Sequence, residues 1–167
     1  EQGPHQDSAL SEAERAQGMV LACSAYPRSD IEVEYVPKEM PGGYHAREYT
    51  AKVIAMHKAS HDVMIVKLRV AGDPIRFYAG QYINIFVPGS ADKADKRSFS
   101  FATAPHENEE IELQIRLIPG GKFTTHVFEA MKVDDLLRFE GPLGAFFLRE
   151  DSKKPIIFVA GATGFAP

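Results

Sequence analysis

The sequence has 167 residues, with 19 basic and 23 acidic side chains and a formal net charge of −4. This balance disfavours a general nucleic-acid-binding surface, which would be strongly basic, and no apolar run reaches the roughly 18 residues of a membrane-spanning helix. We therefore expect neither nucleic acid nor a membrane as a partner.

The single cysteine, Cys23, excludes an intrachain disulfide and fits a reducing compartment. Because no secretory signal opens the chain, we expect a cytoplasmic protein. It begins with Glu1 rather than Met, so we expect its true start to lie upstream.

Residues 1–35 show a short helical pattern, then an apolar run, then an alternating segment. Ser11 and Glu14 form the Ser-x-x-Glu pattern of a capping box, and Gly18 suits the end of the helix. Residues 31–35 alternate apolar and acidic side chains, which predicts a half-exposed strand. Taken alone, Cys23 between these elements indicates a small buried apolar side chain.

A linker and a β-rich domain follow. Residues 36–46 hold two prolines and two glycines in a short polar stretch, which is typical of an interdomain linker. From 47 to 150, short β segments separated by turns predict a closed antiparallel barrel. Apolar residues at helical spacing in 124–131 predict one short helix, and 141–144 predict a turn. The predicted strands are 48–56, 63–70, 81–87, 111–117 and 136–139.

Two runs in this domain carry the groups that a flavin cofactor needs. RSFS at 97–100 lies about twenty residues before GGKFT at 120–124. A pyrophosphate binds a fixed cationic fork and the backbone N–H groups of a helix start, which Arg97 and the glycine pair offer. A flat ring stacks on an aromatic face, and its reactive nitrogen needs a hydroxyl or amide neighbour. Phe99 and Ser100 are candidates for these two tasks.

Together with Gly80-Gln81-Tyr82 upstream, these runs resemble the ferredoxin–NADP reductase family, whose flavin barrel carries Arg-x-Tyr-Ser and Gly-x-x-Ser. More closely, the chain resembles reductases that fuse a plant-type ferredoxin, a flavin barrel and a nicotinamide domain. The bacterial CDP-6-deoxy-glucoseen reductase type and the oxygenase reductases are examples. The resemblance implies about six strands in Greek-key order. We therefore expect a mainly β fold: a closed antiparallel Greek-key barrel with one short helix, an N-terminal ferredoxin remnant and a C-terminal stub of an α/β nucleotide domain.

The resemblance also implies a role for each site residue. Arg97 would hold the flavin pyrophosphate, Phe99 would stack on the isoalloxazine, and Ser100 would face the flavin N5 as the catalytic residue. Phe99 replaces the family's tyrosine, which keeps the stacking face but removes a hydroxyl. Strict alternation places Phe99 and Ser100 on opposite faces, so both can contact the flavin only if the strand twists or ends there. The expected cofactor-binding residues are Arg97, Ser98, Phe99, Ser100, Gly120, Gly121, Lys122, Thr124, Thr163 and Gly164.

Both ends of the chain resemble parts of neighbouring domains. Residues 1–35 are similar to the end of a plant-type ferredoxin, so Cys23 matches the fourth ligand of a 2Fe-2S cluster. Such a cluster needs four thiolates, and this chain alone cannot hold it. Residues 156–160 are a continuous apolar run, which predicts a buried parallel strand. GATGFAP at 161–167 resembles the family's Gly-x-Gly-x-x-Pro turn, with Ala162 in place of the first glycine. We expect 151–167 to be the first strand and turn of an NAD-binding domain.

The leading hypothesis is the flavin-binding core of an NADH-dependent iron–sulfur flavoprotein reductase. The resemblance implies that the complete enzyme takes hydride from NADH onto FAD and passes single electrons through the 2Fe-2S cluster to an oxygenase or dehydrase. FAD is favoured over FMN, NADH against NADPH stays open, and this chain alone is expected to be inactive with NADH. Two other classes remain. One is a non-catalytic barrel that binds flavin or a partner, and the other is an oligonucleotide-binding barrel, which the acidic charge disfavours.

Overall fold

The structure, a computed structural model, describes residues 3, 10–21, 24–32, 44–92 and 94–167. The chain divides into two units, Glu1–Pro37 and Lys38–Pro167. No helix within the described ranges combines the length and the apolar character needed to cross a bilayer.

The first unit contains helix α1 (Glu12–Ala16), which begins at the predicted capping box. The Glu14 N–H donates to Ser11 Oγ at 3.3 Å, and the Ser11 N–H donates to the Glu14 carboxylate at 2.8 Å. These bonds satisfy donors that a helix start leaves open. The Ser11 hydroxyl, which donates to the Glu14 carboxylate at 2.6 Å, and then the Ser11 N–H hold the pKa of Glu14 below its usual value. Cys23 and most of the strand predicted at 31–35 lie outside the described residues.

The second unit is built on one antiparallel sheet of six strands, which confirms the predicted fold class. The strands are β1 (Arg47–Lys58), β2 (Val63–Val70), β3 (Tyr82–Phe86), β4 (Lys96–Ser100), β5 (Glu110–Arg116) and β6 (Leu136–Leu143). Their hydrogen-bonded order is β4-β3-β6-β1-β2-β5. The last strand in sequence thus lies between the hairpins β1–β2 and β3–β4, as the Greek-key order requires.

Strict alternation of side chains explains how the strands build the core. In β5, Ile111, Leu113 and Ile115 have no exposed surface, while the residues between them are half-buried. Successive side chains of a strand point to opposite faces, so every second residue of β5 enters the barrel. In β3, Ile83 and Ile85 do the same. Each such side chain stabilises the fold by about 1.5–3 kcal/mol.

The sheet curves until its two edge strands, β4 and β5, come into contact. Just after β4, the Ala102 N–H donates to the Glu112 carbonyl at 2.9 Å. The Glu112 N–H in turn donates to Thr103 Oγ1 at 2.5 Å. Among the strands that the structure describes, no continuous ladder joins β4 to β5. The two edges of the sheet therefore meet only through a few bonds, and β4 remains an edge strand.

The predicted helix is α2 (Lys122–Glu129), shifted two residues towards the N-terminus. Phe123 and Val127 bury its inner face in the core, as their spacing predicts. Gly120 has a φ of +74°, a left-handed conformation that glycine adopts without steric cost, and Gly121 is the N-cap. The glycine pair thus sets where the helix begins.

Strand β6 extends four residues past its predicted end, into the predicted turn at 141–144. Pro142 has no N–H to donate, which disfavours a central strand. The ladder with β1 ends at Gly141, and the register with β3 is interrupted before Leu143. Pro142 therefore lies where no ladder bond is required of it, and the turn begins only at Gly144.

The buried strand expected at 156–160 is not formed. These residues have no regular structure, and Ile157, Phe158 and Val159 are 88%, 85% and 92% exposed. A parallel strand needs neighbours that pair with its backbone and cover its faces, and no described strand of the sheet does so. The turn after it is formed as a 3₁₀ helix at Ala162–Phe165.

Candidate functional site

A cleft of about 320 Å³ runs along the β4 edge of the barrel. It lies between β4, β5, the start of α2 and the C-terminal turn, and its volume is at the low end for small-molecule sites. Six of the ten predicted cofactor-binding residues line it, so the fold brings together runs that are separate in sequence. The lining residues are Arg97, Ser98, Phe99, Ser100, Gln114, Arg116, Ile118, Thr124, Thr163 and Ala166.

The position of β4 at the sheet edge lets both of its faces contribute. Arg97 and Phe99 pair with the buried isoleucines of β3, so they share the core-facing side, and Ser98 and Ser100 share the other. The strand ends at Ser100. A ligand lying along this edge can therefore contact side chains from both faces. Phe99 and Ser100 can thus both reach it, although they lie on opposite faces of the strand.

Arg97 is partly exposed and is held at one nitrogen. Its Nη1 donates to Asp95 Oδ1 at 2.6 Å and to the Lys96 carbonyl at 2.7 Å. A guanidinium carries five N–H donors in a planar fork, and within the described part of the chain those on Nε and Nη2 have no acceptor. The Ser90 hydroxyl, then Arg97 and Lys122, hold the pKa of Asp95 below its usual value. Of these two cations, Arg97 lines the cleft and Lys122 does not.

Phe99 and Ser100 line the same cleft, the first with an aromatic ring and the second with a hydroxyl. The Phe99 ring packs on Phe123 of α2, with centroids 5.4 Å apart and planes inclined by 44°. This contact holds the ring while it still lines the cleft. The Ser100 hydroxyl makes no hydrogen bond to any described residue, so it can exchange one with a bound ring nitrogen.

The hydroxyl of Ser98, in contrast, is used inside the protein. It donates to Asn84 Oδ1 at 2.7 Å, and Asn84 Nδ2 donates to Glu140 Oε1 at 3.1 Å. Lys96 Nζ donates to the other oxygen of Glu140 at 2.8 Å. These bonds from Lys96 and Asn84 hold the pKa of Glu140 below its usual value. The network ties β4 to β3 and β6, and it leaves Ser100 as the stronger candidate for contact with a flavin nitrogen.

The start of α2 forms a tight turn around Thr124. The Thr124 hydroxyl accepts from the Ile118 N–H at 3.1 Å and lies 3.3 Å from the carbonyls of Ile118 and Gly121. A Cβ on Gly121 would lie 2.6 Å from Thr124 Oγ1. The hydroxyl therefore shapes the turn, and the N–H groups of the first helical turn, which lack intrahelical acceptors, are the groups available to a phosphate. Gly120, Gly121, Lys122 and Gly164 do not line the cleft.

The C-terminal turn closes one side of the cleft with Thr163 and Ala166. The Gly164 N–H donates to the Gly161 carbonyl at 2.8 Å, and the Ala166 N–H donates to the Thr163 carbonyl at 3.0 Å. Ala162, which replaces the first glycine of the family's turn, has a φ of +50°. The backbone at this position thus keeps the left-handed conformation that favours glycine.

Gln114 and Arg116 of β5 were not predicted as site residues. Arg116 Nε donates to Asp62 Oδ2 at 2.7 Å, and this bond, with one from Ser60, holds the pKa of Asp62 below its usual value. The alternation of β5 already places Gln114 and Arg116 opposite its buried isoleucines. The missing information was that β5 lies across the cleft from β4.

A larger cleft, of about 680 Å³, contains none of the predicted site residues. Its walls include Tyr44, Arg47 and Arg76, together with Asp73. Arg47 already donates from Nε to Tyr49 Oη at 2.7 Å, and none of the helices that the structure describes begins at this cleft. Its chemistry therefore suits a flavin less well than that of the smaller cleft along β4.

Comparison with known families identifies the barrel. A sequence profile described as the oxidoreductase FAD-binding domain matches residues 50–148, more than half of the chain. The match begins in β1, ends after β6 and contains nearly all of the cleft. Only the C-terminal turn lies outside it.

Individual relatives match almost the whole chain. The CDP-6-deoxy-L-threo-D-glycero-4-hexulose-3-dehydrase reductase of Yersinia pseudotuberculosis is 39% identical over 161 residues, which are 95% of this chain and 46% of that protein. The reductase component of propane 2-monooxygenase from Gordonia is 36% identical over 163 residues, with coverages of 95% and 46%. The crystal structure of the Amycolatopsis cytochrome P450 reductase GcoB superposes with a TM-score of 0.71 and 34% identity, covering 99% of this chain and 50% of that one.

The chain spans about half the length of these relatives. The profile match covers this chain from within β1 to beyond β6, including β4 and the turn that opens α2. The chain belongs to the oxidoreductase FAD-binding domain family.

Proposed function

We propose that the barrel holds FAD along the β4 edge and is the flavin-binding core of an NADH-dependent iron–sulfur flavoprotein reductase. The observation that carries this proposal is the meeting of Arg97, Phe99, Ser100 and Thr124 in one cleft. Together they offer a cation, an aromatic face and two hydroxyls, which meet the three needs of a flavin dinucleotide.

Each part of the cleft has a separate task. The free Nε and Nη2 donors of Arg97 and the first N–H groups of α2 bind the pyrophosphate, with Lys122 adding positive charge. Phe99 presents its face to the ring and is kept in place by Phe123. The Ser100 hydroxyl donates to, or accepts from, the ring nitrogen that changes protonation. When bound, the flavin supplies the two-electron and one-electron chemistry that amino-acid side chains lack.

The role of the complete protein is a further proposal, supported by the names of the relatives. Those names describe reductases that serve a dehydrase and a monooxygenase. We propose that hydride from NADH reaches FAD and that electrons leave one at a time through a 2Fe-2S cluster, with Cys23 as its fourth ligand. An oxygenase or dehydrase would be the acceptor. Thr163 and Gly164 would take part in the nicotinamide dinucleotide site.

A non-catalytic flavin-binding module is the second candidate. It is favoured by one observation: residues 156–160 form no strand and are exposed. The described residues thus offer only the turn at Ala162–Phe165 to a nicotinamide nucleotide. Reduction by NADH, considered in the Discussion, separates the two candidates.

Titration of the ligand-free chain with FAD tests the proposal. Wild type is expected to retain the flavin absorption bands after unbound FAD is removed, and Arg97→Ala to bind FAD more weakly by about 2–3 kcal/mol, because charge-assisted bonds to phosphate are lost. Arg138→Ala is the matched control. Arg138 is also exposed and ion-paired, at 2.7 Å to Glu48, but it does not line the cleft. Equal affinities of wild type and Arg97→Ala would place the flavin elsewhere.

A further inference from the structure

Asp95, which precedes β4, is fixed by hydrogen bonds of both its side chain and its backbone. Its carboxylate accepts from Ser90 Oγ at 3.0 Å and from Arg97 Nη1 at 2.6 Å. Its backbone N–H donates to the Asp92 carbonyl at 3.1 Å, and its own carbonyl accepts from the Val87 N–H at 3.0 Å. Only 14% of the side chain is exposed. The position of the carboxylate beside Arg97 is therefore fixed.

This fixed carboxylate contacts one nitrogen of Arg97 and leaves the others free. Nη1 donates both to Asp95 and to the Lys96 carbonyl, so its two hydrogens are used. The guanidinium is rigid and planar, and fixing one of its nitrogens also fixes the direction of the remaining three N–H donors. In the part of the chain that the structure describes, those donors on Nε and Nη2 have no acceptor.

Two opposite effects on a bound phosphate are conceivable. As an anion, Asp95 would repel phosphate and compete for Arg97. As an orienting group, it would hold the fork ready and reduce the loss of side-chain freedom on binding. The contacts favour orientation, because Asp95 uses only Nη1 while bidentate recognition of phosphate needs two other donors. The positive charge of Lys122 also acts on Asp95, since it helps to lower the pKa of that carboxyl.

We propose that Asp95, held by Ser90, is a positioning residue that orients Arg97 towards the phosphate of the flavin. We call Ser90, Asp95 and Arg97 the anchor relay. The inference rests on the proposed function of the cleft, and it goes beyond it by assigning a task to two residues outside the lining set.

A double-mutant cycle in the full chain tests the relay, with FAD and riboflavin as probes. Asp95→Ala is expected to weaken FAD binding by about tenfold when Arg97 is present and to have no further effect in Arg97→Ala. Riboflavin has no phosphate, so its affinity is expected to stay the same in every variant. Asp95→Asn keeps an oxygen that can accept from Nη1 and should retain most of the affinity. Ser90→Ala should weaken FAD binding by a smaller factor, about threefold.

Asp92→Ala is the matched control. Asp92 lies in the same loop and carries the same charge, but its carboxylate accepts from the Ala94 N–H at 2.8 Å and does not contact Arg97. Its removal should leave FAD affinity within twofold. Circular dichroism of each variant checks that the barrel is folded, and Ser90→Ala keeps the test decisive if Asp95→Ala does not fold.

Several results would overturn the relay. Tighter FAD binding by Asp95→Ala would show that Asp95 competes with phosphate for Arg97. If Asp95→Ala weakened FAD binding equally in the Arg97→Ala background, or weakened riboflavin binding as much as FAD binding, Asp95 would have only a structural role. Arg97→Ala weakening FAD while Asp95→Ala and Ser90→Ala do not would contradict the relay alone. Absence of FAD binding in wild type would contradict the proposed function itself, and the relay with it.

Discussion

The turn that opens α2 allows a prediction whose size can be worked out from the structure. We predict that Gly121→Ala destabilises the barrel by about 2 kcal/mol, because the new Cβ would lie 2.6 Å from Thr124 Oγ1 and 3.0 Å from the Ile118 carbonyl oxygen. Thr124 cannot move aside freely, since it is 7% exposed and its hydroxyl bonds to the Ile118 backbone. Alanine is also a poor N-cap residue.

Urea unfolding of three variants measures this effect. Gly120→Ala is the matched control: its φ is +74° but nothing lies within 4 Å of its Cβ, so it should cost only the roughly 1 kcal/mol of the left-handed conformation. Gly161→Ala also meets no atom within 4 Å, at a φ of −129°, and should stay within about 0.5 kcal/mol of wild type. FAD affinity should fall in Gly121→Ala, because the N–H groups of the first turn are displaced. Equal stability of Gly121→Ala and Gly120→Ala would refute the steric reasoning.

Three further predictions concern the cleft and the strands around it. Phe99→Ala should weaken FAD binding by about 0.5–1.5 kcal/mol and shift the flavin absorption, whereas Phe99→Tyr keeps the stacking face and should bind at least as well; unchanged spectra in titrations of Phe99→Ala would contradict the stacking role. The depressed pKa of Glu140 means that its folded state binds fewer protons than the unfolded state near pH 4.5. The stability it contributes is therefore present above that pH and lost as the pH falls below it. The free energy of unfolding of Glu140→Gln should therefore fall less steeply with decreasing pH than that of wild type, and equal slopes on the acid side would refute the linkage. FAD-loaded chain should be reduced slowly by NADH in stopped-flow mixing, because hydride transfer needs the reacting atoms about 3–3.5 Å apart and the described residues offer only the turn at Ala162–Phe165 to position the nucleotide. Dithionite needs no nucleotide site and should reduce the flavin readily. Rapid, saturable reduction by NADH would contradict this.

Much of the barrel could be predicted because its strands obey a simple rule of burial. The alternation in β5, from Ile111 to Ile115, identifies both the strand and the side that faces the core. The helical spacing of Phe123 and Val127 identifies α2 in the same way. These signals are local, and they do not depend on which strands are neighbours.

The structure differs from the prediction where the conformation of a segment depends on the strands next to it. Pro142 indicated a turn, yet it continues β6 because neither adjoining ladder needs its N–H. The apolar run at 156–160 indicated a buried strand, but no described strand pairs with it. Apolar character predicts burial only when a partner surface exists.

The site was predictable in its chemistry but not in its full outline. Arg97, Phe99 and Ser100 could be named from residue type and spacing, since each matches a distinct need of a flavin. Arg116 could not, because the sequence does not reveal that β5 faces β4 across the cleft. Asp95 likewise acquires a role only through its contacts with Arg97 and Ser90.

Hydrogen–deuterium exchange with and without FAD tests the central claim, which is that flavin binds along the β4 edge. The account predicts slower exchange on FAD binding in 95–100, 114–118 and 121–125, and the same exchange as before in 44–49 and 73–76. The first set borders the smaller cleft and the second borders the larger one. Protection confined to 44–49 and 73–76 would contradict the account, since it would place FAD in the cleft whose chemistry suits it less.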